Sequence, residues 1–362
     1  MWLHPVIMLK RKDSAKNSAG DVLPLDWGDL LDNETEATKQ SQPEIPAFAC
    51  DSIYDAFAYF LRVEVANGSA TQDTVEAYHR EVNNWIKWCE LHRFAPEDAQ
   101  HYHLDAFHEE MKRRGMSIAT RAHKLTIIRR FYQSGIHVGL REDNPVSEVW
   151  AGKDLTSPEE RFKVFSEEAL TALVASLPNE GISGLRDRLM VALMAAHGLR
   201  RVEIHRLNHS DVQSGGVQSG GSEKDPASII ADGKGHKTRR VFLRDDTWNT
   251  MMAYFTEKEK AGYDLQGAVF VGHGNNGRGQ RLSRVSINAV VDKYLSAAHL
   301  KSAGVSSHAL RHTFGTLAVA NGGRIENLRD TMGHGLLETT AIYAKAVEKA
   351  KNNPAYLIDV EI

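Results

Sequence analysis

The sequence contains little cysteine and no long apolar run, and each shortage excludes a class of protein. Its two cysteines, Cys50 and Cys89, are too few for a disulfide framework and do not have the spacing of a zinc knuckle. No apolar run reaches the ~20 residues of a transmembrane helix, and the apolar start, residues 1–9, is too short for a signal peptide. We therefore expect a soluble protein of the reducing cytoplasm, with no membrane partner.

A nucleotide-binding phosphate loop is also missing. Residues 272–279, GHGNNGRG, are rich in glycine but do not end in the Gly-Lys-Ser/Thr sequence that such a loop requires. This stretch predicts a flexible loop and gives no indication of a nucleotide cofactor.

The net charge of −3 shows no overall excess of basic residues, but the charges are segregated along the chain. Residues 111–141 contain eight basic and no acidic residues, and residues 233–244 contain five basic and no acidic residues. Residues 1–46 contain eight acidic and five basic residues. Segregated charge is typical of a phosphate-binding surface, although each basic run alone could equally be a solvated helix face.

The hydrophobic pattern predicts a mainly α protein with two domains. Residues 1–46 lack periodicity and are expected to form a flexible extension. Apolar stripes at helical spacing within 47–150 predict an all-α domain whose basic residues lie along one side. The charged, aperiodic segment 151–164 is expected to be a linker.

Residues 165–350 predict a second, mainly helical (α+β) domain with one small antiparallel sheet. Short strands are expected near 227–231 and 239–243, joined by a glycine-containing hairpin turn, with helices before and after them. The remaining tail, 351–362, ends in several apolar residues and is a possible contact between protomers, or it folds back on its own domain.

The stretch HALRH, residues 308–312, places His308 and His312 on one helix face with Arg311 beside them. Such a pair of histidines could bind a metal ion, but no glutamate lies between them and the guanidinium would repel a cation. An anion site suits these residues better, since Arg311 can donate to two phosphate oxygens and His308 can donate to a third. An ordinary surface helix remains the alternative for this stretch taken alone.

Other motifs accompany HALRH along the second domain. Arg200 and Glu203 lie in GLRRVE, directly after a helix stop; Lys234 lies in the hairpin turn of GKGHKTR. His334 follows a second helix stop, and Tyr343 stands nine residues later on a predicted helix. Together these are two arginines, two histidines, a lysine and a tyrosine on separate loops and helix ends.

In this order, the motifs GLRxxE, GKGxKxR, HxLRHT, GH and the tyrosine nine residues past that GH resemble the tyrosine recombinase (phage integrase, Xer-like) family. The resemblance covers about residues 165–350, which it implies are the catalytic domain, and it makes 47–150 similar to the core-binding domain of that family. It implies cleavage and rejoining of DNA through a 3′-phosphotyrosyl ester, without metal, nucleotide or other cofactor.

The resemblance also implies roles for individual residues. Tyr343 matches the nucleophile, Arg200 and Arg311 match the two arginines that clamp the phosphate, and Lys234 matches the general acid, with Lys237 as its nearest competitor. His308 and His334 match positions that bond the phosphate or handle the tyrosine proton. Glu203 is expected to hold the cations in place, and His312 is expected to pack.

The resemblance implies a double-stranded DNA partner carrying a specific site, a homotetramer on two such sites, and accessory DNA-bending or regulatory proteins. We expect DNA contacts from the basic residues of both domains: Arg113, Arg114, Arg121, Lys124, Arg129, Arg130, Lys237, Arg239 and Arg240. The alternative activities are a type IB topoisomerase, which uses a similar residue set, and a catalytically silent DNA-binding relative. The location implied is cytoplasmic and nucleoid-associated.

Overall fold

The computed structural model describes residues 50–157, 161–216, 225–233, 237–275, 277–334 and 336–351. The predictions for the 1–46 extension, for Lys234 and for residues 352–362 of the tail lie outside the described residues. The chain divides into two compact units between Leu155 and Thr156, within the segment 151–164.

The first unit is all-helical over its described part. Its four α-helices are α1 (Ile53–Val63), α2 (Gln72–Leu91), α3 (His101–Arg113) and α4 (Ile118–His137). Serine side chains cap two of them, since Ser52 Oγ accepts from the backbone N–H of Asp55 and Ser117 Oγ accepts from that of Thr120.

The core of the first unit consists of the apolar stripes that the sequence predicts. Trp85 and Tyr132 lie at its centre, where the indole N–H of Trp85 donates to the Tyr132 hydroxyl at 2.8 Å. The sequence pattern missed helix α3, because HYHLDAFHEEMKR has few apolar residues, of which Leu104, Phe107 and Met111 are buried.

Several basic residues expected on a DNA-facing surface are instead engaged inside the first unit. Lys124 forms a largely buried ion pair with Glu81. Arg121 donates to the carbonyl of Ala151 at 3.1 Å, and Arg129 donates to the carbonyls of Val146 and Val149. The charges of these three residues thus satisfy buried acceptors of their own unit, and their contact with DNA stays a prediction.

The remaining basic residues of the set are exposed. Arg114 is exposed and pairs with Glu110 on its own helix, while Arg113 and Arg130 are exposed with no ion pair among the described residues. Arg113 and Arg130 therefore remain the best candidates for phosphate contacts in this unit.

The second unit contains eight α-helices and three strands within its described residues. They are α5 (Glu167–Ala175), α6 (Ile182–Ala195), α7 (Arg201–Arg206), β1 (Val212–Gln213), β2 (Ser228–Asp232), β3 (Thr238–Phe242), α8 (Asp245–Lys260), α9 (Arg284–Ala297), α10 (Ser307–Ala320), α11 (Ile325–Met332) and α12 (Glu338–Lys351). This arrangement confirms the predicted mainly helical domain with a small sheet.

The sheet is antiparallel in the order β1-β2-β3. Strands β2 and β3 form the predicted hairpin, with Ile230 opposite Arg240. Strand β1 was not predicted, because two residues are too few to show an alternating pattern; it pairs Val212 with Ile229.

Helix α6 is the centre of the second unit and packs against α8 and α10. Its residues Leu189, Met190, Leu193 and Met194 are fully buried. Helices α7 and α10, near whose starts several residues of the candidate site lie, both contact α6. No helix within the described residues is long and apolar enough to span a membrane.

Candidate active site

Tyr343 lies on α12 with its side chain almost completely buried, at 1% exposure. It forms a small cluster with Leu328 and Met332 of α11, and the ring of Phe162 contacts its edge at a centroid distance of 5.6 Å. The nucleophile suggested by the sequence is therefore held inside the unit in this structure.

Gly315 on α10 makes room for the tyrosine ring. A Cβ atom at this position would lie 2.8 Å from Cε2 and 2.9 Å from Cζ of Tyr343, closer than carbon atoms can approach. Glycine is required here for close packing of α10 on α12, since any side chain would displace the ring.

The hydroxyl of Tyr343 is hydrogen-bonded to His312, whose Nδ1 lies 3.0 Å from Oη. His312, which the sequence motif suggests is a packing residue, stacks its ring on Phe162 at a centroid distance of 4.8 Å. The direct contact with the tyrosine oxygen was missed. The one signal for it was the position of His312, one residue past Arg311 and on the same face as His308.

His334 lies beside the tyrosine but bonds elsewhere. Its Nδ1 is 2.8 Å from Oγ1 of Thr340, and its ring stacks on the Tyr343 ring at a centroid distance of 6.3 Å. Thr340 is fully buried and was not singled out from the sequence. Thr340 fixes the orientation of the imidazole at the turn that precedes α12.

Arg311 is buried beneath the site, at 3% exposure. Its Nη1 donates to the carbonyl of Gly198 and its Nη2 donates to that of Met332 at 2.7 Å. Two of its five N–H groups are thereby occupied, and the other three have no partner among the described residues.

Arg200 and Arg239 share one buried carboxylate. Arg200 Nη1 lies 2.9 Å from Glu203 Oε1, while Arg239 donates to both oxygens of Glu203, at 2.8 and 2.9 Å. The Glu203 side chain is completely buried, and the bonds from the two arginines lower the pKa of its carboxyl group against the opposing effect of burial. Glu203 thus binds two cations, and the largely buried guanidinium of Arg239 helps to neutralise its carboxylate; contact of Arg239 with DNA stays a prediction.

All three arginines also bind the carboxyl end of α11. Arg239 donates to the carbonyl of Thr331 at 2.7 Å, Arg200 and Arg311 to that of Met332, and Arg200 to that of Gly333. Gly333 adopts a left-handed conformation with φ of 64°, which ends the helix and turns the chain toward His334. These bonds satisfy free carbonyls at a helix end and fix the turn that carries His334.

The other predicted site residues lie nearer the surface. His308 is exposed, and its ring is 5.7 Å from that of His312. Lys237 and Arg240 on the hairpin are exposed as well, whereas Lys234 lies outside the described residues. The structure therefore brings Arg200, His308, Arg311, His334 and Tyr343 together around one region.

The electrostatics of the site combine fixed cations with neutral histidines. Burial, followed by the charges of Arg311 and Arg200, lowers the pKa of His334 to about 4. Burial, followed by His308 and Arg311, lowers the pKa of His312 to about 4. Burial raises the pKa of Tyr343, while Arg311 and Arg200 act in the opposite direction. At neutral pH His312 and His334 are thus uncharged, and Arg200 and Arg311 supply positive charge to the region, which suits a phosphodiester.

Comparison with known proteins identifies this arrangement. A model of the phage integrase family matches residues 163–350, and a model of the N-terminal SAM-like domain of phage integrases matches residues 58–139. The chain belongs to the phage integrase family.

Curated proteins of similar sequence include tyrosine recombinase XerD of Caulobacter vibrioides. It is 28% identical to this chain over 295 residues, and the match covers 80% of this chain and 90% of that protein. Tyrosine recombinase XerC of Pelotomaculum thermopropionicum is 28% identical over 301 residues, covering 80% and 92%.

Solved structures share the two-domain fold. The XerH site-specific recombinase bound to a palindromic difH substrate has a TM-score of 0.61 at 16% identity, covering 84% of this chain and 83% of that one. The Tn1549 transposon integrase in complex with circular intermediate DNA has a TM-score of 0.60 at 14% identity, covering 80% and 94%. The enzyme class, which the family model and the Xer relatives show, is that of the tyrosine recombinases.

Proposed function

We propose that this tyrosine recombinase cuts and rejoins duplex DNA at a specific site through a 3′-phosphotyrosyl intermediate. The observation that carries the proposal is that Tyr343, on α12, packs against Met332, whose carbonyl oxygen accepts hydrogen bonds from both Arg200 and Arg311. A tyrosine hydroxyl, two guanidinium groups and neutral imidazoles suit in-line transfer of a phosphoryl group.

The clamp residues keep donors for the phosphate. Arg311 uses two N–H groups and Arg200 uses three on protein acceptors, so each retains at least two that are free among the described residues. Each donor directed at the developing charge contributes about 3 kcal/mol to stabilisation of the transition state. His308 and His334 would add donors to the same oxygens.

In the reaction, the Tyr343 oxygen attacks phosphorus and the 5′ oxygen of the DNA leaves. The new ester conserves the energy of the broken bond, so that a 5′ hydroxyl can later attack it and rejoin the strand without ATP. Lys234 is proposed to protonate the leaving oxygen, in keeping with its position in the family motif.

We propose that the reaction needs no metal ion. Within the described residues, no group of three or more histidine, cysteine, aspartate or glutamate side chains could hold one. The guanidinium groups of Arg200 and Arg311 would supply the charge stabilisation that metal ions provide in other phosphoryl-transfer enzymes.

The proposed partner is duplex DNA that carries a specific site, and the proposed assembly is a homotetramer bound to two such sites. We propose that this assembly acts in the cytoplasm, together with accessory DNA-bending or regulatory proteins. Structures of relatives bound to DNA support the first part of this proposal. The tail 351–362 is proposed as a protomer contact, whose deletion should weaken assembly while leaving binding to one site intact.

The experiment is a covalent trap on a nicked duplex that carries the target site, obtained by selection from randomised DNA. Loss of the short fragment beyond the nick prevents rejoining, so the protein–DNA adduct accumulates. We expect an adduct that survives denaturation, forms in the presence of EDTA and is absent with Tyr343→Phe.

Each other result overturns part of the proposal. Tight binding without an adduct on a verified site would indicate a silent relative, and an adduct with Tyr343→Phe would indicate a different nucleophile. Relaxation of supercoiled plasmid without strand exchange between two sites would indicate a topoisomerase. Loss of the adduct in EDTA, restored by added Mg²⁺, would overturn the metal-free reaction.

A further inference from the structure

The hydroxyl of Tyr343 has one hydrogen-bond partner within the described residues, and that partner is His312. We propose that His312 is the general base that takes the proton from Tyr343 as the tyrosine oxygen attacks phosphorus. The inference rests on the proposed function and adds to it a residue that the sequence motif assigns to packing.

The geometry favours His312 over the two other histidines of the site. Nδ1 of His312 lies 3.0 Å from the tyrosine oxygen, within the distance required for direct proton transfer. His334 directs its Nδ1 at Thr340 and presents a ring face to the tyrosine. His308 has no hydrogen bond to the tyrosine within the described residues, and its ring lies 5.7 Å from that of His312, with the two ring planes at 73°.

The imidazole of His312 is held in this orientation by its surroundings. Phe162 stacks on it with an interplanar angle of 23°. The segment that carries Phe162 is itself fixed to α10, because the backbone N–H of Phe165 donates to Thr313 Oγ1 at 2.9 Å. A base that is held in place in this way need not reorganise before it accepts a proton.

Burial, together with the neighbouring groups His308 and Arg311, keeps His312 neutral and able to accept a proton. The titratable and charged groups that face it are His308 and Arg311 from α10, His334 from the turn after α11, and Tyr343 from α12. With a pKa of about 4, set by burial and then by His308 and Arg311, its ring is unprotonated at pH 7. The tyrosine has a raised pKa and needs such an acceptor to become nucleophilic.

The bond between Tyr343 Oη and phosphorus forms as the bond between phosphorus and the 5′ oxygen breaks; the hydroxyl proton passes to His312 Nδ1, and the leaving oxygen receives a proton from the proposed general acid. The bound phosphate brings negative charge next to Arg311, which offsets the repulsion that the imidazolium would otherwise meet. On rejoining, His312 returns the proton to the tyrosine oxygen.

The test compares His312→Asn with the unaltered enzyme in single-turnover cleavage of the nicked duplex between pH 6.5 and 9. The asparagine oxygen can accept the same hydrogen bond but not the proton. We expect cleavage to slow by about 10²- to 10⁴-fold with DNA affinity unchanged. We also expect the rate of the variant to rise about tenfold per pH unit, since hydroxide must then deprotonate the tyrosine, while the unaltered enzyme shows no such rise.

Three results would overturn the proposal. The first is a cleavage rate of His312→Asn equal to that of the unaltered enzyme. The second is a faster rate, which would mean that His312 holds the tyrosine in an inactive position. The third is a slower rate with an unchanged pH profile, which would mean that His312 has only a structural role. Absence of an adduct in the unaltered enzyme would instead contradict the proposed function itself.

A measurement on the unaltered protein covers the case in which the variant fails to fold. The ¹⁵N chemical shifts of the His312 ring at pH 7 report its tautomer. We expect an unprotonated Nδ1 and a protonated Nε2; the opposite tautomer would make His312 the donor to the tyrosine and would refute the proposal.

Discussion

Arg239 of strand β3 binds both carboxylate oxygens of Glu203, which lies 36 residues earlier on helix α7. The same carboxylate also binds Arg200, and Arg239 reaches the carbonyl of Thr331 at the end of α11. One buried ion-pair network therefore joins the β2–β3 hairpin, Arg200 and the turn before His334. Movement of any one of these elements requires the other two to adjust.

The neighbouring residues Arg239 and Arg240 should give opposite results when each is changed to glutamine. Arg239→Gln leaves Glu203 with a partly unpaired buried charge and should destabilise the protein by about 3–5 kcal/mol, with a slower cleavage rate. Arg240 is exposed, so Arg240→Gln should leave stability unchanged and reduce the salt dependence of DNA binding by about one ion. Urea denaturation and binding titrations over a range of salt concentrations measure the two effects; the reverse pattern would show that Arg239 is a DNA ligand.

Arg129 and Arg130 on α4 provide a similar pair in the first unit. Arg129 donates to two backbone carbonyls and lies over the ring of Trp150 at 4.9 Å, so Arg129→Gln should cost about 1–3 kcal/mol of stability. Arg130→Gln should weaken DNA binding and leave the melting temperature unchanged, because its side chain is exposed. Equal DNA affinity for Arg130→Gln and the unaltered protein would remove Arg130 from the DNA-binding surface.

Gly315→Ala should displace the tyrosine ring. The added methyl group would approach Tyr343 to within 2.8 Å, so we expect a loss of about 1–3 kcal/mol in stability and at least a tenfold slower formation of the covalent adduct. Gly274→Ala is the control, since a Cβ there meets nothing within 4 Å. Adduct formation at the normal rate by Gly315→Ala would mean that the tyrosine leaves this position before it reacts.

Stability should fall between pH 7 and pH 4.5, in part through His197. This side chain is 4% exposed and bonds to Phe242 O and Thr247 Oγ1; burial lowers its pKa from 6.5 to about 4. Because the folded pKa is the lower one, the unfolded chain binds the proton first as the pH falls, and stability drops from about pH 6.5 downward. We expect a contribution of about 2–3 kcal/mol at pH 4.5.

The measurement is the free energy of unfolding of His197→Gln at both pH values. This variant should show a smaller difference between pH 7 and pH 4.5 than the unaltered protein does. His299→Asn serves as the control, because His299 is exposed and asparagine tolerates its positive φ of 57°. An unchanged pH dependence in His197→Gln would show that other groups cause the drop.

The sequence by itself determined the helices and the residue types of the site. Apolar spacing is a local property, so the mainly helical character of both units follows from the pattern. Helix α3 and strand β1 do not follow from it, because α3 has few apolar residues and β1 has only two residues. The order and spacing of five motifs were enough to single out Arg200, His308, Arg311, His334 and Tyr343.

Only the tertiary structure decided which partner each polar group takes. Arg239 and Lys124 look like surface cations in the sequence, yet each neutralises a carboxylate that is distant along the chain. His312 contacts Tyr343 across 31 residues, at a position made possible by Gly315 and by the stacking of Phe162. Burial makes such pairings obligatory, because a charged or polar group removed from water must find its partner wherever the fold places one.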